Sequence, residues 1–191
     1  MPDGSHDRRR LATPGYLGIN RRPTRREWLR ALVLFLVGMV GLTLMFLFIH
    51  PRASLLAVGS SAPRVTLSAA GGEQVDVTAA AAGRPYVLDF FEAGCSHCQQ
   101  VAAQVCDENL PVFAVDAAKD SPQMIVQFQR QFAPRCGKPM LVDPALHATS
   151  AYAVSAVPTV YVVKGGKIAF AGAGPEGVAA LHGAVQKALG G

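Results

Sequence analysis

The sequence predicts an α/β protein with a mixed central sheet and helices on both faces, preceded by one transmembrane helix. Residues 31–49 form one apolar run of 19 residues without a charge. After this run, short β-prone segments alternate with helical stretches as far as the C-terminus. Between a buried strand and a helix stand two cysteines, Cys95 and Cys98.

The excess positive charge of the chain lies at its N-terminus. The formal net charge is +5, and eight arginines but only three acidic residues precede residue 31. The rest of the chain is balanced in charge, so no basic surface is left for a phosphate backbone and nucleic-acid binding is not expected. Arginines before an apolar segment favour the cytoplasmic side of a membrane. Residues 1–30 are therefore expected to be a cytoplasmic, Arg-rich disordered tail.

The apolar run is long enough to cross a bilayer, because 19 helical residues rise about 28 Å. The alternative is a cleaved signal peptide, whose apolar region is usually shorter and is followed closely by an A-x-A-like site. We expect a retained single-pass anchor at residues 31–49, a tether at 50–62 and an extracytoplasmic domain at 63–191. Residues 24–30, TRREWLR, also resemble a twin-arginine export signal, although arginine pairs are common in such a flank.

The first half of the exported domain predicts a hairpin, a buried strand and a helix. RVTLS and EQVDV are β-prone runs separated by AAGG, which is typical of a hairpin. Residues 85–91, PYVLDFF, are apolar except for Asp89 and predict a strand that is buried on both faces. The stretch QQVAAQVCDEN after the cysteines predicts a helix.

The second half predicts further strands and helices in alternation. Residues 110–118, LPVFAVDAA, predict a second buried strand, and Ser121 with Pro122 is typical of a helix start. KPMLVD predicts a short strand, and VPTVYVVKGGKIAFAG predicts two strands that are joined at Gly165-Gly166. A last helix is expected to begin at Pro175. This order implies the mixed sheet with helices on both faces.

Two cysteines separated by two residues can bind a metal, attach a haem or form a redox-active dithiol. Haem attachment requires a histidine directly after the second cysteine, where this chain has Gln99. Structural zinc requires four ligands, and Cys106 and Cys136 are 30 residues apart with no histidine beside either. Copper could be held by the two thiolates with His97, and this alternative stays open.

A redox dithiol has a physical basis at this place in the chain. Cys95 lies where a strand ends and a helix begins, and the unpaired N–H groups of the helix start favour a thiolate. Cys98, one turn later, can attack the same sulfur and resolve a mixed disulfide. An imidazolium at His97 would favour the thiolate further; the alternative is a merely exposed histidine at the helix start.

Three segments in order, VGSSAPRVTL, PYVLDFFEAGCSHC and AVPTVYVV, resemble the thioredoxin superfamily, specifically its membrane-anchored TlpA/ResA-like thiol–disulfide oxidoreductases. The resemblance extends from about Val58 to the C-terminus. It implies a thioredoxin-like fold with an N-terminal β-hairpin extension and a dithiol that needs no cofactor or metal. It also implies exported protein thiols or disulfides as substrates and a membrane redox partner that recycles the dithiol. We expect a monomer.

The resemblance gives roles to residues outside the cysteine pair. Pro158 matches the cis-proline beside the active cysteines, and the backbone of Val157 would pair with an extended substrate segment. Asp89 matches the buried acid of thioredoxins, with a raised pKa and the ability to relay the Cys98 proton. The alternative for Asp89 is a hydrogen bond to the backbone at the strand end. Gly94 departs from the family, which usually has Trp before the first cysteine.

The direction of electron flow stays open in the sequence. The TlpA/ResA likeness favours a reductant, for example of apocytochrome cysteines during cytochrome c maturation. Histidine before the second cysteine resembles the oxidant DsbA instead. A copper-binding chaperone on the same fold, or an interaction module with a purely structural disulfide, are further alternatives.

The other two cysteines, Cys106 and Cys136, are expected to form a structural disulfide, because an oxidising compartment disfavours idle thiols. Such a bond would close a loop of about 30 residues and contribute about 3–4 kcal/mol in the chain-entropy model. The alternative is a small buried core cysteine and a loop thiol.

Overall fold

The structure is a computed structural model that describes residues 24–49 and 54–190. These residues belong to two compact units, one long helix and one α/β domain, and each is described by itself. The tail predicted for residues 1–30 lies outside the described residues except at its end.

Helix α1 spans Arg25–Ile49 and has 25 residues, so it begins earlier than the predicted apolar run. Thr24 explains this start: its N–H donates to Glu27 Oε2 at 2.7 Å, and its Oγ1 accepts the Glu27 N–H at 3.4 Å. The large apolar side chains from Trp28 to Phe46 are exposed. The segment Arg25–Phe46 has the length and composition to cross a membrane, properties that a signal sequence near the N-terminus shares.

The domain is built on one seven-stranded sheet with strand order β2-β1-β5-β4-β3-β6-β7. The strands are β1 (Thr66–Ala69), β2 (Gln74–Asp76), β3 (Tyr86–Phe91), β4 (Val112–Asp116), β5 (Leu141–Val142), β6 (Thr159–Lys164) and β7 (Lys167–Ala173). Strands β3, β4 and β5 are parallel, and the other pairs are antiparallel. The mixed sheet and the opening hairpin β1–β2 are therefore confirmed.

Six helices accompany this sheet in the described residues. They are α2 (Val77–Ala80), α3 (Ser96–Cys106), α4 (Pro122–Phe132), α5 (His147–Ala151), α6 (Gly174–Ala179) and α7 (Leu181–Gly190). The sequence did not indicate α2 or α5, because four or five residues are too few to show a helical period. The single last helix that we expected is divided into α6 and α7 at Ala180.

The helices lie on both faces of the sheet, as predicted. Successive side chains of β3 point to opposite faces, and all of them are buried. On one face, Val87 packs with residues of α3, α6 and α7, and Phe91 packs with residues of α3 and α4. On the other face, Leu88 and Phe90 pack with residues of α2 and α5.

The described part of the predicted tether packs against the domain. Gly59 N–H donates to the Ile168 carbonyl at 2.8 Å, and Ile168 N–H donates to the Ser60 carbonyl at 2.9 Å. Leu56 N–H donates to the Tyr161 hydroxyl at 3.3 Å. The packed domain therefore includes residues before position 63, because Ser61 pairs with Lys167 of the edge strand β7 and Leu56 is partly buried against the core.

The loops that follow β3 and β4 are brought together because these two strands are parallel. In the register of β3 and β4, Phe91 is opposite Asp116, so both strands end at the same edge of the sheet. The Ala117 N–H donates to the Phe91 carbonyl at 2.8 Å and fixes the first residues of the two following loops side by side. In open α/β sheets, this edge is where binding and catalytic residues collect.

Candidate active site

The cysteine pair lies at the start of α3, directly after β3. Cys95 is the N-cap residue, with an extended backbone at φ −79° and ψ 116°. Its sulfur accepts the Cys98 N–H at 3.1 Å, in the place where an oxygen of Ser, Thr or Asp usually stands. Both cysteines are free thiols; Cys95 is half-buried, whereas Cys98 is only 2% exposed. Of the two sulfurs, therefore, Cys95 is the one a partner can reach.

Cys98 is held in its protonated form. Burial raises the pKa of Cys98 well above its ordinary value, and a hydrogen bond from its thiol to the Cys95 sulfur raises it further. A hydrogen bond with the Glu92 backbone acts in the opposite direction but does not cancel these effects. The two cysteines thus differ in access and in proton affinity, and Cys98 needs a base before it can attack another sulfur.

Asp89 lies beneath α3 on β3. Strand alternation puts its side chain on the same face as Phe91, which packs in one cluster with Cys98. Asp89 is 6% exposed, and within the described residues its Oδ1 has no hydrogen-bond partner. Burial raises the pKa of Asp89 from 3.8 to about 7. Its charge is also one of the weaker causes of the raised pKa of Cys98, behind burial and the bond to Cys95.

Val157 and Pro158 form the turn that leads into β6. The peptide bond between them is cis, as the resemblance implies. Val157 packs in the same cluster as Cys95 and Cys98, directly before β6 begins. Pro158 is buried, and its carbonyl accepts the Gly174 N–H at 2.7 Å. The structure therefore brings together both thiols, the buried acid and the cis-proline turn.

His97 is exposed in the first turn of α3. This placement leaves both interpretations of His97 open. Among residues 24–49 and 54–190, no three His, Cys, Asp or Glu side chains come together as a metal-binding group. Thiolate ligands such as those of Cys95 and Cys98 suit a soft metal such as Cu(I), so the copper alternative stays open.

The sequence did not single out Asp120, Gln99 or Asp116, which hold the loop before Cys95. Asp120 accepts the Ala93 N–H at 2.7 Å, and Gln99 donates to the Ala93 carbonyl at 2.9 Å. The available signal was a strand ending in aspartate, with a second aspartate four residues later before a helix cap. Nothing in that spacing indicates which neighbouring loop the second aspartate would reach.

The predicted structural pair, Cys106 and Cys136, is joined by a disulfide in the structure. The two Cα atoms are 4.8 Å apart, at a sequence separation of 30. Cys106 is the last residue of α3, so the bond ties the far end of the active-site helix to the loop after α4. An exposed ion pair between Asp107 and Arg135 at 2.5 Å joins the same two segments.

The sequence matches no protein-family model and no curated protein, whereas the fold matches solved structures. One is the crystal structure of a protein from Chlorobium tepidum, provisionally described as the thiol:disulfide interchange protein DsbE; it is 24% identical over 70% of this chain and 99% of that chain, with a TM-score of 0.59.

Two other solved structures agree with this match. The thioredoxin domain of the thiol-disulfide oxidoreductase BVU-2223 from Bacteroides vulgatus is 20% identical over 69% of this chain and 97% of that chain, with a TM-score of 0.56. A secreted Mycobacterium tuberculosis disulfide oxidoreductase homologous to E. coli DsbE is 21% identical over 65% of this chain and 96% of that chain, with a TM-score of 0.54. At these identities the similarity shows the fold: the α/β domain has the thioredoxin-like fold that the sequence predicts.

Proposed function

We propose that this protein is a thiol–disulfide oxidoreductase that works through Cys95 and Cys98. The observation that supports this most strongly is the difference between the two sulfurs. Cys95 is accessible and accepts a helix N–H, whereas Cys98 is buried and protonated behind it. Solved structures that share the fold are described as proteins of thiol–disulfide exchange, which supports this proposal.

The first step is an attack by the Cys95 thiolate on one sulfur of a substrate disulfide. A bond forms between Cys95 and that sulfur, the substrate disulfide breaks, and the other substrate sulfur leaves as a thiolate that takes up a proton. The Cys98 N–H donates to Cys95 and favours the negative charge on the attacking sulfur. Val157, beside the cysteines, presents backbone to an extended substrate segment.

The second step releases the substrate. Cys98 gives its proton to Asp89 and attacks the Cys95 sulfur, so that the mixed disulfide breaks and the second substrate thiolate leaves. A Cys95–Cys98 disulfide remains, and two electrons have passed from the protein to the substrate. A pKa of about 7 suits Asp89 to accept this proton near neutral pH. If the protein acts as an oxidant instead, the same steps proceed in reverse.

We place the reaction in the reducing direction, on disulfides of exported proteins such as the cysteines of an apocytochrome. The TlpA/ResA likeness supports this direction, whereas His97 before Cys98 resembles an oxidant. The test is the reduction potential of the Cys95–Cys98 pair in the full-length protein, equilibrated with glutathione in detergent. A value near the ~−270 mV of thioredoxin supports the reductant, and a value near the ~−120 mV of DsbA supports the oxidant.

The catalytic activity itself is tested by the reduction of insulin disulfides. The purified full-length protein should accelerate this reaction in the presence of dithiothreitol, and Cys95→Ser should abolish the acceleration. Metal content is measured on the same preparation, because copper retained in proportion to protein, without insulin reduction, would favour the copper-binding chaperone instead.

Helix α1 bears on where the proposed enzyme is located in the cell. We propose that α1 is retained as a single-pass anchor, with the N-terminus in the cytoplasm and the oxidoreductase domain outside. The arginines before the apolar run support this orientation, and the exposed apolar surface of α1 supports its insertion into a membrane. A membrane protein with its own dithiol would then return electrons to the Cys95–Cys98 disulfide.

A further inference from the structure

The residue two positions before Cys95 is held from both sides by side chains. The Ala93 N–H donates to Asp120 Oδ2 at 2.7 Å, and Gln99 Nε2 donates to the Ala93 carbonyl at 2.9 Å. Gln99 belongs to α3, whereas Asp120 belongs to the loop between β4 and α4. The position of Ala93 determines how the chain enters α3, and therefore where the N-cap sulfur stands.

Asp120 is itself held in place by Asp116, the last residue of β4. Asp116 is 1% exposed, and its two carboxylate oxygens accept the N–H groups of Ala118 at 3.1 Å and of Asp120 at 3.0 Å. Between them, Lys119 has φ 63°, in the left-handed region that L-residues rarely adopt. The Asp116 carboxylate thus closes the loop around this residue and turns Asp120 towards Ala93.

The contact between the two loops follows from the sheet. Parallel pairing puts Phe91 opposite Asp116, and the Ala117 N–H donates to the Phe91 carbonyl at 2.8 Å. The loops that leave β3 and β4 therefore start side by side, and Asp120 reaches across to the loop that carries Cys95. A series of hydrogen bonds connects a buried carboxylate to the chain segment that ends in the attacking sulfur.

We propose that Asp120 is a positioning residue of the redox site, and that Asp116 positions Asp120. Asp120 does not touch the reacting sulfurs. The Asp120 carboxylate accepts the Ala93 N–H and so keeps Cys95 in its N-cap geometry. In that geometry the Cys95 sulfur accepts the Cys98 N–H. This inference rests on the proposed function for its biological meaning, but the geometry of Cys95 that it concerns can be measured independently.

The test is the rate at which iodoacetamide alkylates Cys95 in the reduced full-length protein in detergent at neutral pH, with the modified residue identified by mass spectrometry. Asp120→Ala leaves the Ala93 N–H without its acceptor and should lower this rate about threefold to tenfold. Asp120→Asn keeps an accepting oxygen at the same place and should restore the rate to within about twofold of the wild type. Asp116→Ala should act in the same direction as Asp120→Ala.

A matched control removes the same kind of contact elsewhere. Asp76 Oδ1 accepts the Ala79 N–H at 3.0 Å at the start of α2. Asp76→Ala should therefore leave the alkylation rate of Cys95 unchanged. Asp120→Gln, whose longer side chain moves the accepting oxygen, should lower the rate relative to Asp120→Asn; this comparison holds even if Asp120→Ala fails to fold.

Equal alkylation rates in Asp120→Gln, Asp120→Asn and the wild type would overturn the positioning role. An equal loss in the Asp76→Ala control would overturn it too, because the effect would then be one of general stability. Failure of the proposed function has a different signature: the wild type would not reduce insulin, although Cys95 reactivity still depended on Asp120.

Discussion

Cys95 and Cys98 are the same kind of side chain in different surroundings. The Cys95 sulfur is half-buried and accepts an N–H of the first helical turn, whereas burial raises the pKa of Cys98. Asp89 lies on the same face of β3 and has its own pKa raised to about 7 by burial. In the proposed mechanism, the roles of attacking sulfur, resolving sulfur and proton acceptor follow from these three environments.

Asp89→Asn should slow insulin reduction by at least about tenfold, because the amide cannot accept the Cys98 proton. The second step of the wild type should also accelerate as the pH rises from about 6 to about 8, since Asp89 must be unprotonated to act as a base. The measurement is the rate of release of a preformed mixed disulfide as a function of pH. An unchanged rate in Asp89→Asn would remove Asp89 from the mechanism.

The same substitution should stabilise the fold. The pKa of Asp89 is about 7 in the folded state and 3.8 as a reference for the unfolded state, so the folded state binds the proton more tightly between these values. Wild-type stability therefore falls as the pH rises from about 4 to about 7 and stays reduced above it.

Asp89→Asn removes this penalty and should raise the free energy of unfolding at pH 8 by on the order of 1–3 kcal/mol, with a smaller gain at pH 5. Chemical denaturation of both proteins at the two pH values measures this difference. A gain of the same size at both pH values would show that Asp89 does not titrate in this range.

At the scale of residues, the cysteine motif and the strand before it indicated part of the candidate site from the sequence alone. Cys95, Cys98 and Asp89 could be singled out because they occupy fixed positions around the end of one strand. Asp120 could not be, because its contact with Ala93 depends on the parallel pairing of β3 with β4 and on the backbone of Lys119. The spacing of residues along the chain indicates neither the strand pairing nor this backbone conformation.

At the scale of elements, the active-site helix α3 is fixed at both ends. Its start is held through Ala93, and its last residue, Cys106, is bonded to Cys136 in the loop after α4. The two ends have different proposed roles, since the start carries the free thiols of Cys95 and Cys98 and the end carries the disulfide. Removal of the bond should therefore affect stability more than reactivity.

Replacement of Cys106 and Cys136 by Ser should lower the free energy of unfolding by about 3–4 kcal/mol, because the unfolded chain gains conformational freedom. Alkylation of Cys95 should stay within about twofold of the wild-type rate. Thiol counting provides the direct check, on unfolded, oxidised protein in which Cys95 and Cys98 have been changed to Ser. Two free thiols per chain would contradict the bond.

Helix α6 approaches β7 closely at two glycines. A Cβ atom built on Gly177 would lie 2.5 Å from the Gly172 carbonyl carbon and 2.8 Å from its Cα, which are rigid backbone atoms. Gly177→Ala should therefore destabilise the domain by about 1–3 kcal/mol. Gly183→Ala in α7, where nothing lies within 4 Å, should instead be neutral or stabilise by up to about 1 kcal/mol. Equal melting temperatures for the two variants would argue against the close approach.

The long elements could be predicted because their patterns are strong. β3 and β4 are apolar apart from Asp89 and Asp116, and Ser121 accepts the Met124 N–H as the predicted helix cap. Elements α2 and α5 were missed because they are single turns. The division of the last helix at Ala180 was also missed. Val178, Leu181 and Val185 are three and four residues apart, which is the spacing of one continuous helix, and all three are buried in the same cluster.

At the scale of the whole molecule, the order of motifs predicted the fold, whereas the orientation in a membrane, which rests on the charge asymmetry, stays a prediction. The N-terminal boundary of the α/β domain was harder to predict from the sequence. Residues 54–62 are rich in small side chains and were assigned to a tether, but Leu55 and Leu56 pack on the core and the backbone pairs near Ile168. Such pairing depends on where β7 lies in the folded domain, which local composition does not indicate.

The retained anchor makes a prediction for the whole protein. N-terminal sequencing of the chain purified from the membrane fraction should find residues 31–49 still present, because no A-x-A-like site follows the apolar run closely. Protease added from outside should digest the oxidoreductase domain before the N-terminal tail. Mature chains that begin near Ser60 would overturn the anchor and leave the exported location intact.

The central claim is that Cys95 attacks and Cys98 resolves. The most direct measurement is to isolate the Cys98→Ser variant of the full-length protein from cells and to map its covalent partners by mass spectrometry after acid trapping. The account predicts mixed disulfides between substrate cysteines and Cys95, which disappear in the Cys95→Ser/Cys98→Ser double variant. Mixed disulfides on Cys106 or Cys136, with Cys95 free, would contradict it.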